Sequence, residues 1–91
     1  MKDGSSKVRA AAVRALGNSG DPGLLPFLKS RFPEDSSYLV QGEILAAVGK
    51  CGGTADVPFL RKASVLGSPR GLLKRNADAA VKKIEEAARN K

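Results

Sequence analysis

The chain has 91 residues, 42% of them hydrophobic but 4% aromatic, and a formal charge of +7. That length allows one domain, residues 1–91, with a core built from aliphatic side chains and alanine. One cysteine excludes an internal disulfide or a thiolate zinc site, and the lack of histidine excludes Ser-His and Cys-His pairs and a His-Glu-x-x-His motif. No apolar run is long enough to cross a bilayer and no signal-peptide pattern opens the chain. No membrane partner is therefore expected, and a cytoplasmic setting is the default for such cysteine usage.

In chain order, residues 1–5 read as a polar lead-in. A first helix is predicted over about residues 6–16, stopped by Gly17-Asn18-Ser19-Gly20. Asp21-Pro22 opens a second, because aspartate caps and proline suits a first helical position. Leu24, Leu25, Phe27 and Leu28 supply its buried side, and Pro33 ends the unit. The third helix fills residues 35–52, with Asp35, Ser36 or Ser37 as its cap. Gly49, Gly52 and Gly53 are candidates for the left-handed residue that ends it. Gly42 inside this helix costs about 1 kcal/mol relative to alanine, which points to a tight helix–helix contact. A fourth helix follows over about 54–65, and a fifth, the longest, over about 69–89.

These helices are copies of one unit. Val8, Ala12, Ala15 and Leu16 align with Val40, Ile44, Ala47 and Val48, and again with Leu73, Ala77, Ala80 and Val81. Pro26-Phe27-Leu28-Lys29 aligns with Pro58-Phe59-Leu60-Arg61. The offset of about 32 residues is typical of repeat proteins, in which each hairpin buries its apolar face by stacking on the next. The expected fold is all-α, a short right-handed α-solenoid of about two and a half helical hairpins. In the third copy Asp78 stands where Val13 and Leu45 stood, as suits a terminal unit.

The repeated Asp-x-Ser-x-x-Val-Arg, the Ala-Leu-Gly helix end, the Gly-Asp-Pro turn and the Pro-Phe-Leu helix resemble HEAT-like repeats, closest to the short variety of phycocyanobilin lyases. The resemblance implies a scaffold or binding module, and it covers nearly the whole chain. In that family an aspartate and an arginine at these positions pair between neighbouring repeats. Asp3, Asp35 and Arg9 match, whereas Gln41 and Lys74 stand in for arginine, so a continuous ladder is not expected. A narrower resemblance joins the stretches around Tyr38, Lys50 and Arg70 to the helical C-terminal region of gluzincin-type zinc aminopeptidases, whose catalytic residues lie in another domain. It implies that residues 1–91 are a piece of a larger chain.

The residues themselves offer little chemistry. Cys51 matches Ser19 in the first copy and reads as a small turn residue. Glu34-Asp35 suits a helix start, and Glu85-Glu86 a solvated face. No cofactor, metal site or catalytic residue is expected. Arg9, Arg14, Gln41, Lys74, Arg75 and Lys82, with Lys83, lie on the first, third and fifth helices and form the candidate binding face. A protein partner, either an acidic segment or the rest of a parent chain, fits that face best. A phosphate backbone is the alternative, weakened by the absence of aromatics among these charges. A third reading is a chaperone-like bilin lyase subunit.

Overall fold

The computed structural model describes residues 5–89. Its five α-helices are α1 (Ser6–Asn18), α2 (Leu25–Arg31), α3 (Tyr38–Cys51), α4 (Val57–Ser64) and α5 (Leu72–Arg89). There is no strand among the described residues. Single 3-10 turns, Pro22–Leu24, Thr54–Asp56 and Pro69–Gly71, lead into α2, α4 and α5.

Local chemistry sets the helix starts. The Ser5 hydroxyl accepts from the Val8 N–H at 3.3 Å, and the Ser37 hydroxyl accepts from the Val40 N–H at 3.4 Å. Asp21 takes the Gly23 N–H at 2.8 Å, and Ser68 takes the Leu73 N–H at 3.0 Å. Pro26 and Pro58 fall in the first turns of α2 and α4, where a missing N–H breaks no helical bond.

Helices α1, α3 and α5 lie side by side as one layer, α2 packs on α3, and α4 packs on α5. Val13, Leu28, Val40, Ile44, Leu45, Val48, Leu60 and Leu73 are fully buried between the layers. Each contributes roughly 1.5–3 kcal/mol by leaving water. The forward side of one helix meets the rear side of the next. Ala10, Val13 and Gly17 of α1 are buried on that forward side, as are Gly42, Leu45 and Gly49 of α3. At the same register α5 carries Arg75, Asp78 and Lys82, all exposed.

Two expectations are corrected. Gly49, Gly52 and Gly53 do not end α3 in a left-handed conformation; Gly52 and Gly53 are extended, with φ of −95° and −138°. Gly49 is instead a packing residue. A Cβ placed on it would lie 2.7 Å from the Ala80 Cβ and 2.9 Å from the Ala80 Cα. Gly17 meets Ala47 in the same way, at 2.8 and 2.9 Å. Gly52 is small because the Asp56 carboxylate and the Val48 carbonyl sit against it.

The second correction concerns the first apolar stripe. Val40 and Leu73 are 1% exposed, but Val8 is 60% exposed, and Ala12 and Ala15 are exposed with it. The physical reason is positional: these residues form the rear of α1, and no described helix lies behind it.

The glycine contacts separate two substitutions. Gly49→Ala gains about 1 kcal/mol of helix propensity but forces a methyl into the backbone of α5, an overpacking cost of about 1–3 kcal/mol. A net loss of stability of about 1 kcal/mol is expected in urea titrations. A Cβ at Gly42 would meet the Asn76 side-chain amide, which can swing aside. Gly42→Ala is therefore expected to leave stability unchanged or to raise it by up to about 1 kcal/mol.

Candidate binding face and its supports

The connection between α2 and α3 is held by charge. Arg9 Nε donates to Asp35 Oδ2 at 2.9 Å and its Nη2 donates to Oδ1 at 3.3 Å, so α1 grips the start of α3 through a forked pair. Asp35 also accepts the Ser37 N–H at 2.9 Å. Burial acts to raise the Asp35 pKa, but the bond from Arg9, the Ser37 N–H and the charges of Arg9 and Arg31 outweigh it and hold the carboxyl below its ordinary value. This is one aspartate–arginine rung of the kind the repeat resemblance implies. Asp3, the aspartate before it, lies outside the described residues.

The ladder does not continue. Gln41, at the next arginine position, donates to the Phe32 carbonyl at 2.9 Å, and Ser68 occupies the next aspartate position as a helix cap. Asp56 forms a second buried carboxylate site. It pairs with Lys29 of α2 and accepts the Gly53 N–H at 2.9 Å. Burial pushes its pKa up, while Lys29 and that N–H pull it further down, for a net lowering. Lys29 also lies over the Phe59 ring, 5.7 Å from its centroid, and Phe32 packs edge-on against the same ring at 5.7 Å.

The candidate binding residues fall on three sides. Arg9 and Gln41 are half-buried and turned toward the α2–α3 connection. Arg75 and Lys82 are exposed on the forward edge of α5, and Lys74 pairs with Asp78 at 2.8 Å. Arg14 lies on the outer face of the helix layer, where it donates to Glu43 of α3 at 2.7 Å.

That outer face carries further cations. Lys50 of α3 donates to the Asn18 side chain of α1 at 2.6 Å. Between α3 and α5 runs a shallow groove of about 170 Å³, lined by Ala46, Lys50, Asn76, Ala79, Ala80 and Lys83. Its alanine floor gives a flat apolar strip, and Lys50 and Lys83 stand at equivalent register along it. Lys50 was missing from the sequence-derived set, although its alignment with Lys83 and Asn18 marks it as outward-facing.

Cys51 is not a turn residue. It closes α3, is 6% exposed, and points its thiol at the Gly17 carbonyl at 3.7 Å. Burial and the charge of Asp21 raise its pKa, which keeps it a protonated thiol and a poor nucleophile. Tyr38 is 43% exposed at the first turn of α3. None of the described helices is long and apolar enough to cross a membrane.

A layered stack of copied helical hairpins with small residues at each step defines the class of helical-repeat proteins. Within it, the family model described as HEAT repeats matches residues 1–82, and the chain belongs to that family. No curated protein and no solved structure matches the chain.

The two buried carboxylates set an acid limit. Their folded pKa values lie below the unfolded ones, so the stability they supply is complete above about pH 4 and is lost as pH falls through the folded values. Stability measured by denaturant is expected to decline below about pH 4. Asp35→Asn should lower it by about 2 kcal/mol at neutral pH and make the acid decline shallower.

Proposed function

We propose that the chain is a non-catalytic HEAT-repeat binding module of the cytoplasm that takes an acidic protein segment along the outer face of α1, α3 and α5. The observation that carries this reading is the alanine-floored groove flanked by Lys50 and Lys83. The Ala46, Ala79 and Ala80 strip accepts an apolar ridge, and the two ammonium groups favour carboxylates at its edges. HEAT repeats generally serve as interaction scaffolds, which agrees with a binding role. Of the candidate residues, Arg14 belongs to this face; Arg75 and Lys82 serve the forward edge.

The module is read as an appendage of a larger protein. The stretches around Tyr38, Lys50 and Arg70 support an aminopeptidase-type parent, in which the module would pack against a catalytic body. The lyase-like Ala-Leu-Gly and Pro-Phe-Leu signatures support the bilin lyase alternative.

Chemical-shift mapping with a short glutamate-rich peptide tests the face. Shifts are expected at Ala46, Lys50, Asn76, Ala79 and Lys83, and Lys50→Glu with Lys83→Glu should weaken binding at least about threefold. Shifts confined to Arg75 and Lys82 would move the site to the forward edge of α5. Tighter binding of duplex DNA than of the peptide, with a steep salt dependence, would favour the nucleic-acid reading instead.

A further inference from the structure

The two edges of the stack are unlike. On the forward edge, where a following hairpin would sit, the register positions that hold Val13 and Gly17 in α1 hold Asp78 and Lys82 in α5. In the second layer, the position of Phe32 is taken by Ser64. At those positions the edge is polar. On the rear edge the opposite holds. Val8 is 60% exposed, Ala12 and Ala15 are exposed beside it, and Phe27 of α2 is 40% exposed.

The chain shows what covers each of these groups one repeat later. Ala47, the counterpart of Ala15, fits against the bare backbone of Gly17. Phe59, the counterpart of Phe27, is covered by Phe32 and Lys29. Val40, the counterpart of Val8, is 1% exposed. Among the described residues both rear-edge helices therefore lack the same neighbour. A second copy stacked head to tail cannot supply it, because α5 would set Lys82 against Ala15 where a glycine is required.

We infer that the rear edge of α1 and α2 is an interface that seats a further hairpin of this same repeat, carried on the N-terminal side of the same polypeptide. Its first helix presents glycine to Ala15, and its second helix presents an apolar or aromatic side chain to Phe27. This seat is distinct from the outer face proposed above for an acidic segment, so either can fail without the other.

A tandem protein tests the inference. Residues 3–34 are duplicated ahead of Asp3, which keeps the repeat register and places a copy of Gly17 against Ala15. The expected result is one cooperative melting transition at least about 5 °C above that of the 91-residue chain. Ala15→Asp should shift the original chain by less than about 3 °C, since that residue is exposed there, and should abolish the gain in the tandem protein. A tandem protein with no gain, or a gain that survives Ala15→Asp, overturns the inference. So does a dimer of the 91-residue chain, seen by sedimentation, that Val8→Asp dissociates, because the rear edge would then belong to a second copy.

Discussion

The close approach of helix backbones at Gly17–Ala47 and Gly49–Ala80 is the constraint on which the rest of the molecule depends. With few aromatic residues, the core cannot be filled by bulk. It is filled by bringing helices together until small side chains touch backbone. Each glycine–alanine step fixes the separation of two neighbours in the α1–α3–α5 layer. Once that separation is set, Val13, Leu45 and their partners fill the space left, and α2 and α4 close the second side with Leu28 and Leu60. Dispersion gains per contact are small, so the arrangement tolerates little slack.

Shape repeats along the stack and charge does not. The glycine–alanine step occurs twice in register, and so does the Pro-Phe-Leu helix. Three ion pairs tie the first copy to the second: Arg9–Asp35, Arg14–Glu43 and Lys29–Asp56. At the next step Gln41, Ala46 and Ser68 replace Arg9, Arg14 and Asp35, and the ion pair recorded between the second copy and the third is the exposed Arg61–Glu85 contact at 3.5 Å. Packing therefore carries the architecture. The charged rungs strengthen one junction and fix the entry of the chain into α3, where Asp35 gathers Arg9 and the Ser37 N–H at once.

Most of this fold was legible in the sequence because copying supplies its own control. A cap, a stripe and a proline seen once are weak signals; seen at a constant offset they locate helices to within a few residues. The reading failed where it treated each helix alone. Gly49 was assigned to a helix end because glycine commonly sits there, yet its role is set by Ala80, about one repeat away. Val8 shares the apolar register of Val40 and Leu73, yet periodicity marks an apolar face without saying whether a neighbour covers it. The candidate site suffered likewise. Arg9 and Gln41 read as outward cation and amide, but the α2–α3 connection offers Asp35 and the Phe32 carbonyl within reach, and polar side chains take such partners before solvent.

The positive charge then has a definite distribution. Asp35 and Asp56 are withdrawn into the stack and Glu43 is engaged by Arg14, while Asp78, Glu85 and Glu86 stay exposed on α5. Lys50 and Lys83 border an apolar strip on that layer with no carboxylate lining the groove between them. The forward edge is different in kind: Arg75, Asp78 and Lys82 alternate in sign, which solvates a terminal surface without creating a field of one polarity. A net positive count alone would not separate a solvating surface from a binding one. The separation comes from which acids the fold consumes internally. By that criterion the acidic partner proposed above is matched better by the outer groove, whose lining residues include lysines and no carboxylate, than by the mixed-sign end of α5.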